Sequence, residues 1–347
     1  MRFYTQQHQY YCGIDLHARK MYVCILNNIG KIVLHKNIRT DPELLFEILF
    51  PFLPEVVVGV ECMFSWYWIA DLCREHCIPF ILGHALYMKA IHGGKTKNDK
   101  IDSYKIAALL RGGNLPVAYA YPAKMRATRD LLRRRMYLMR RRAELLTHIQ
   151  NTNTQYNLPE IGKNLSKKCH RKNIAERFED PAVRVTVETD LALIGFYDQL
   201  LPSIEQYIDQ CAKQHDPNAL YRLRTMPGIG YILALAILYE VGDIKRFQSV
   251  QDFSSYARLI RPQKQSDGKW AGKSNKKIGN AHLKYAIGEA AKLFIRRSKI
   301  AVSYRERLES KHGKAKSYGI FTHKVGRAVY FMLKNKKAFN KNRFFEA

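Results

Sequence analysis

Three short apolar runs decide the fold: YYCGID (residues 10–15), MYVCIL (residues 21–26) and KIVL (residues 31–34). They are rich in aromatic and β-branched residues, and the turn NNIG (residues 27–30) joins the second to the third. This pattern predicts a meander of three antiparallel strands. A fourth run, EVVVGVE (residues 55–61), is apolar between its two acids, which is typical of a strand buried on both faces.

The elements that follow the meander predict an α/β domain. Thr40 or Asp41 can cap a helix that has Pro42 in its first turn. We expect further helices over residues 66–77 and 99–110 and a short strand over residues 79–82. The resulting order, β-β-β-α-β-α-β-α, is the RNase H-like order, in which parallel strands and helices extend a meander.

The chain changes character after Pro122. Residues 124–150 and 187–211 read as two long amphipathic helices, separated by an irregular basic segment. They predict a helical hairpin or coiled coil, and the sequence leaves open whether it forms within one chain or between two. Residues 221–347 read as a mainly helical domain with a loosely ordered basic tail after Lys334. We therefore predict three domains, over residues 1–122, 123–220 and 221–347.

Charge is the first indication of function. The formal net charge is +28, and residues 1–122 hold 13 Lys and Arg against 10 Asp and Glu, so nearly all of the excess lies in the rest of the chain. Such an excess is typical of proteins that bind a polyanion, although a soluble basic protein without one is the alternative. A polar N-terminus, apolar runs too short for a bilayer and seven irregularly spaced cysteines indicate a cytoplasmic protein without a membrane partner.

Four acids are candidate metal ligands. Asp15 ends the first strand and Glu61 ends the fourth, and these strands are neighbours in the predicted sheet. Asp99 and Asp102 are three residues apart at a helix start and share one face. Each acid alone has an ordinary reading as a cap or a solvated side chain. Together they predict a Mg²⁺ or Mn²⁺ site, since converging carboxylates need cations and hard oxygen ligands select these ions.

Candidate nucleic-acid contacts lie in the basic part of the chain. Met226-Pro227-Gly228-Ile229-Gly230 precedes an apolar helix and resembles the hairpin of helix-hairpin-helix modules, in which Gly228 and Gly230 would let backbone N–H groups approach a phosphate. A plain turn between helices is the alternative. The other candidates are basic side chains on the long helix and in a polar loop: Arg133, Arg134, Arg141, Lys273, Lys276 and Lys277.

The polar loop also contains Ser266-Asp267-Gly268. A serine hydroxyl there is a candidate nucleophile for a phosphorus atom, with the nearby lysines offsetting the developing charge. By residue pattern alone, it is an ordinary surface serine.

The joint order of motifs resembles a known family. Gly13-Ile14-Asp15, Val60-Glu61 and the run KNDKIDS (residues 97–103) are similar to the Asp-Glu-Asp-Asp signature of a bacterial insertion-sequence transposase family. That family includes the pilin-gene invertase and the bridge-RNA-guided serine recombinases. The C-terminal half is similar too, through residues 226–230, 247–259 and 277–283.

The resemblance implies a RuvC-like domain, a coiled coil and a C-terminal transposase domain. It implies that the four acids bind Mg²⁺ and act with a serine that becomes covalently linked to cleaved DNA. Ser266, four residues after Pro262, fits the position of that serine best, Ser274 is the second choice, and Ser254 and Ser255 rank lower. It also implies a structured non-coding RNA that pairs with donor and target DNA.

The leading functional hypothesis is therefore a transposase or site-specific recombinase that cuts and rejoins double-stranded DNA through a serine–phosphate intermediate. We expect a homodimer or homotetramer in the bacterial cytoplasm, at the nucleoid when it acts. One alternative keeps the acids without the serine: a RuvC-like junction nuclease that hydrolyses DNA. Another is a non-catalytic nucleic-acid-binding protein.

Overall fold

The computed structural model describes residues 2–91, 98–162, 164–212, 216–260, 265–266, 269–270 and 278–346. The chain divides into two compact units, Met1–Ala123 (unit 1) and Lys124–Ala347 (unit 2). Among the described residues, no helix combines the length and the apolar character that crossing a bilayer requires.

Unit 1 is a mixed α/β unit. In chain order its elements are β1 (Phe3–Tyr4), β2 (Tyr10–Leu16), β3 (Lys20–Asn27), β4 (Ile32–Arg39), α1 (Pro42–Leu49), β5 (Val56–Glu61), α2 (Tyr67–Glu75), β6 (Phe80–Gly83), α3 (Ala85–Ile91), α4 (Asp99–Arg111) and β7 (Leu115–Pro116). The main sheet has the order β4-β3-β2-β5-β6. Its β2–β3 and β3–β4 pairs are antiparallel, whereas β2–β5 and β5–β6 are parallel.

This topology confirms the predicted meander and is consistent with an RNase H-like arrangement. Asp41 caps α1 by accepting hydrogen bonds from the backbone N–H groups of Glu43 and Leu44, as the Asp41-Pro42 pair predicts. The run at residues 55–61 forms β5, which is buried on both faces: Val58 packs in one core cluster and Val57 in another. Burial on both faces explains why this run is continuously apolar.

Unit 2 is mostly helical. Its elements are α5 (Ala123–Gln155), α6 (Pro181–Ala212), α7 (Pro217–Arg224), α8 (Tyr231–Val241), α9 (Val250–Tyr256), β8 (Gln265–Ser266), β9 (Lys269–Trp270), α10 (Ala281–Arg297), α11 (Lys299–His312), α12 (Lys314–Lys334) and α13 (Lys341–Glu346), of which α5 begins at the boundary residue. Helices α8, α10 and α12 contribute the largest share of its main core cluster.

The two long helices pair within the chain. Arg135 Nε donates to Glu205 Oε1 (2.8 Å), Arg142 Nε donates to Asp198 Oδ1 (2.7 Å), and His148 Nδ1 lies 2.6 Å from Asp190 Oδ2. From one contact to the next the residue number rises on α5 and falls on α6, so the two helices are antiparallel. Of the two arrangements that the sequence left open, the structure contains the intramolecular hairpin.

The C-terminal segment corrects one expectation. The sequence predicted a loosely ordered basic tail after Lys334, but α13 is helical and its Phe344 is only 5% exposed. Phe344 packs against Phe294 and Phe321, with ring centroids 5.4 and 5.9 Å apart. Two buried aromatic contacts outweigh the repulsion of the flanking lysines, which remain at the surface.

Candidate active site at the carboxyl edge of the sheet

Asp15 and Glu61 lie at the same edge of the sheet. Strands β2 and β5 are parallel, and Ile14 is paired with Val60, so the acid that follows each of them stands at the carboxyl end of its strand. Side chains two residues apart on a strand share a face. Asp15 therefore lies on the face of Gly13, and Glu61 on the face of Gly59.

Helix α4 packs directly on that face because both glycines lack a side chain. A Cβ at Gly13 would lie 2.3 Å from the backbone nitrogen of Ala107 and 2.3 Å from the carbonyl oxygen of Ser103. A Cβ at Gly59 would lie 2.5 Å from Leu110 Cδ1. The close approach leaves the first turn of α4, with its two acids, beyond the end of β2.

The N-terminus of α4 is fixed by two side chains. Asn98 caps it, since its Oδ1 accepts a hydrogen bond from the Lys100 backbone N–H at 2.9 Å. From β4, His35 Nε2 donates to the Lys100 carbonyl oxygen (3.0 Å) and lies 3.1 Å from Ser103 Oγ. The helix start is therefore tied both to its own cap and to the far strand of the meander.

Three groups converge at the strand end. Asp15 Oδ2 lies 3.4 Å from His17 Nε2, and Asp99 Oδ1 lies 3.6 Å from the same nitrogen. One ligand atom from each of these residues lies within 4.8 Å of the other two. Glu61 and Asp102 are half-buried close by and outside this group, and Asp102 Oδ1 pairs with Lys105 Nζ at 3.4 Å.

The electrostatics of the group favour a cation. Burial raises the pKa of the Asp15 carboxyl, His17 opposes the rise, and Asp99 and Asp102 add to it. A carboxylate that is partly desolvated beside two others is stabilised by a positive ion. Carboxylate oxygens and an imidazole nitrogen are all donors that divalent metals accept, so this donor set fits the ion predicted from the four acids.

Sequence reasoning did not single out His17. The available signal was its position two residues after Asp15 at a strand end, which places both side chains toward one face. A lone histidine in a polar turn gives no other indication of its role.

In unit 2, the structure gives the two glycines of the predicted hairpin different surroundings. Gly228 has φ +91°, and a Cβ there would lie 2.3 Å from the Ala290 carbonyl oxygen, so this glycine is required for close packing against α10. Gly230 is exposed, precedes the first residue of α8, and has no atom near its hypothetical Cβ within 4 Å. Only Gly230 lies where a phosphate could approach the helix.

The three arginines of α5 that were predicted to contact nucleic acid also differ. Arg133 donates from Nε and Nη2 to the two carboxylate oxygens of Glu240, at 2.6 and 2.9 Å. The guanidiniums of Arg134 and Arg141 lie 5.3 and 5.0 Å from the ring centroid of Tyr137, which is 43% exposed. Arg133 therefore has a buried carboxylate partner inside unit 2. Arg134 and Arg141 flank an exposed aromatic ring, and Arg141 also pairs with the exposed Glu144 at 2.6 Å.

Glu240 is the centre of a buried ionic network. It is 1% exposed and also accepts hydrogen bonds from Arg129 Nε at 3.1 Å and from Asn280 Nδ2 at 2.7 Å. Burial works to raise the pKa of this carboxyl, but Arg133, Arg129 and Asn280 together bring the pKa below its ordinary value. The network joins α5 and α8 to the start of α10.

The structure describes the candidate nucleophile, Ser266, only in part. Ser266 ends β8, which pairs with β9, and only its backbone is described. Ser274 and the three lysines of the loop, Lys273, Lys276 and Lys277, lie outside the described residues. Of the serines ranked lower, Ser254 is 1% exposed and its Oγ lies 3.2 Å from His323 Nε2.

Comparisons with known proteins agree with the motif order. Residues 12–158 match a DEDD-type family model described as "Transposase", and residues 220–306 match the model described as "Transposase IS116/IS110/IS902 family". The chain is 24% identical over 211 residues to the transposase for insertion sequence element IS1111A of Coxiella burnetii, covering 58% of this chain and 56% of that protein. It is 30% identical over 126 residues to the transposase for IS1328 of Yersinia enterocolitica, covering 36% and 37% of the two chains.

The chain is also 24% identical over 267 residues to a probable family 20 transposase of Pseudomonas aeruginosa, and the match covers 70% of this chain and 72% of that protein. Across the first two of these relatives the matched region spans about half or less of the relative's length. The DEDD-type model covers the four acids of unit 1 and continues through α5, and the second model covers unit 2 from within α7 to within α11. Over these two regions, in this order, the chain is therefore similar to transposases of the IS110/IS116/IS902 type.

Proposed function

We propose that this chain is a transposase that cuts double-stranded DNA and rejoins it to a new partner, using a divalent-metal site in unit 1 and a serine nucleophile in unit 2. The observation that carries the proposal is the convergence of Asp15, His17 and Asp99 at the strand end, with Glu61 and Asp102 beside them, in a chain that matches a DEDD-type transposase domain. Mg²⁺ or Mn²⁺ is the proposed cofactor.

The carboxylates of Asp15, Glu61, Asp99 and Asp102 would hold the ion. When bound, a divalent cation polarises a phosphate and stabilises the charge that develops on a leaving oxygen. The chain's own contribution is to fix the acids before DNA arrives, since preorganised groups cost no reorganisation during reaction. Packing of α4 on Gly13 and Gly59 and the contact of His35 with Lys100 supply that rigidity.

Ser266 is the proposed nucleophile. Its hydroxyl oxygen would attack a backbone phosphorus, so that one P–O bond to serine forms as one P–O bond within the strand breaks. The serine proton leaves to solvent or a nearby base, and the departing DNA oxygen takes up a proton. A hydroxyl end of another strand then reverses the step and frees the serine. The number of phosphodiester links is conserved, so no external energy source is needed.

The proposed nucleic-acid surface comprises Arg134, Arg141 and the exposed Gly230 at the start of α8, together with Lys273, Lys276 and Lys277. An arginine pair around an exposed tyrosine can contact phosphates and stack on an unpaired base. Such a surface suits the guide RNA that the family resemblance implies, and we include a structured RNA among the proposed partners.

A second copy of the chain is the other proposed partner. On α6, the side opposite the hairpin carries exposed Val185, Leu193, Phe196 and Tyr207, which are 60%, 43%, 58% and 59% exposed. At 100° per residue these four positions fall within an arc of about 80°. A long apolar stripe of this kind supports self-association through α6.

The cleavage proposal is tested with purified full-length chain and a supercoiled plasmid that carries the gene with its flanking DNA. In Mg²⁺ or Mn²⁺ buffer we expect strand cleavage, which Asp15→Asn abolishes. The matched control is Asp71→Asn, which removes a half-buried acid of the same unit that pairs with Arg74 and is not among the predicted metal ligands. Equal activity of Asp15→Asn and wild type would refute the metal site.

The serine is tested by trapping. Denaturing gels of labelled DNA should show a protein–DNA adduct that Ser266→Ala lacks and Ser274→Ala keeps. An adduct that survives Ser266→Ala and disappears with Ser274→Ala transfers the role to Ser274. Cleavage without any adduct indicates the junction-nuclease alternative, which uses activated water. RNase treatment that leaves activity unchanged, with no co-purifying RNA, would refute RNA guidance.

A further inference from the structure

His17 is the residue at the carboxylate edge whose role the Asp-Glu-Asp-Asp pattern leaves open. Its backbone is fixed on both sides: its N–H donates to the Lys20 carbonyl oxygen at 3.2 Å, and its own carbonyl accepts from Thr40 Oγ1 at 2.8 Å. Its side chain remains 55% exposed. The turn therefore presents the imidazole at a defined position that solvent and small ions can reach.

The imidazole nitrogen stands between two carboxylates. The separations from Nε2 are 3.4 Å to Asp15 Oδ2 and 3.6 Å to Asp99 Oδ1. Both exceed the usual range for an N–H···O hydrogen bond, which ends near ~3.2 Å. Neighbouring ligand atoms around an ion with bonds of about 2.1 Å lie roughly 3 Å apart. The two separations from Nε2 are therefore longer than hydrogen bonds, and since all three ligand atoms lie within 4.8 Å of one another, an ion placed between them can reach all three.

We propose that His17 is a nitrogen ligand of the divalent cation, together with Asp15 and Asp99. The inference rests on the proposed metal site and extends it beyond the four acids. Mg²⁺ strongly prefers oxygen donors, whereas imidazole is a good ligand for first-row transition metals. A mixed set of two carboxylates and one imidazole therefore shifts the selectivity of the site from Mg²⁺ toward Mn²⁺ and Co²⁺.

The experiment measures metal binding by the metal-free full-length chain, without DNA. Mn²⁺, Mg²⁺ and Co²⁺ are titrated calorimetrically, and the Mn²⁺ form is examined by pulsed electron paramagnetic resonance for coupling to nitrogen. The variants are His17→Ala, His17→Asn, which offers an amide oxygen, and Asp15→Asn. His312→Ala is the control, because His312 is an exposed histidine at the end of α11 in the other unit.

We expect an imidazole nitrogen coupling in the wild type and in His312→Ala, and its loss in His17→Ala. Removing His17 should weaken Mn²⁺ and Co²⁺ binding by roughly tenfold or more, the range seen when groups that support a metal site are removed. Mg²⁺ binding should weaken less. His17→Asn should recover Mg²⁺ affinity better than Co²⁺ affinity, which a purely structural role for His17 would not produce.

The experiment distinguishes failure of the proposed metal site from failure of the His17 assignment. If wild type and Asp15→Asn bind none of the three ions, the metal site itself is refuted and the role of His17 falls with it. If wild type binds Mn²⁺ and Asp15→Asn does not, the carboxylate site stands. In that case the absence of nitrogen coupling, or equal or tighter binding by His17→Ala, overturns the inference and identifies His17 as an ion-pair partner that competes with the metal.

Discussion

Replacing Gly13 by alanine is the sharpest test of how the site is built. The new Cβ would meet the Ala107 backbone nitrogen and the Ser103 carbonyl oxygen at 2.3 Å each, distances at which something must move. Both obstacles are backbone atoms of α4, so the helix itself has to shift away from β2. Overpacking of a core typically costs ~1–3 kcal/mol, and because no flexible side chain can give way, we expect about 3 kcal/mol for Gly13→Ala.

Two other glycines calibrate this figure. At Gly59 the atom nearest the added Cβ is Leu110 Cδ1, at 2.5 Å, the end of a side chain that can rotate, so Gly59→Ala should cost about 1 kcal/mol. Gly319 lies within α12 with no atom within 4 Å of its hypothetical Cβ. There alanine should stabilise the chain by roughly 0.5–1 kcal/mol through helix propensity.

The assay is urea unfolding followed by tryptophan fluorescence. The chain has three tryptophans, and in a Trp270→Phe background the remaining two, Trp66 and Trp68, both report on unit 1. We expect Gly13→Ala to lower the midpoint most and to weaken Mn²⁺ binding, because Asp99 moves with α4. A cost no larger than that of Gly59→Ala, or unchanged Mn²⁺ affinity, would refute the reasoning.

Further predictions concern unit 2. Glu240→Gln should destabilise it by roughly 3–5 kcal/mol, since it removes the buried charge that pairs with the buried Arg129 and the part-buried Arg133; a loss below 1 kcal/mol by hydrogen exchange would contradict this. The pKa of Glu240 lies below its ordinary value of 4.5, so its contribution is present above that pH and is lost as the pH falls below it through the depressed folded-state value. Acid unfolding of Glu240→Gln should therefore show a shallower pH dependence than wild type. Phe196→Glu should dissociate the proposed oligomer in sedimentation velocity, whereas Gln206→Glu, exposed on another side of α6, should not; equal behaviour of the two variants would exclude the stripe as the interface between copies.

The sequence predicts the sheet well because its signals are local. Asp41-Pro42 marks the start of α1, and the apolar run ending in Glu61 marks a strand buried on both faces, so the positions of Asp15 and Glu61 follow from strand order. The close approach of α4 to the sheet at Gly13 and Gly59 is harder to predict from the sequence. A glycine inside a strand indicates that something passes near it, but only the fold identifies the passing element.

The remaining features depend on contacts between residues far apart in sequence. His17 reaches the carboxylates because Lys20 and Thr40 hold its backbone, and neither contact has a sequence pattern. Arg133 looks like any arginine on a solvated helix face until Glu240, 107 positions away, is seen to face it. The assignments of Ser266, Asp102 and the lysine loop stay predictions, and the trapping experiment tests that of Ser266.

The ionic contacts of α5 with α6 and α8 have a consequence for how the proposed binding to DNA responds to salt. Arg129 and Arg133 share Glu240, Arg135 is paired with Glu205, and Arg142 with Asp198. Each phosphate that a protein neutralises releases close to one condensed counterion, about 0.9 on B-DNA. Arginines that already hold a carboxylate contribute little to that release. The slope of log affinity against log salt concentration should therefore count only the unpaired cations of unit 2, and should be well below what the 58 Lys and Arg residues of the chain suggest.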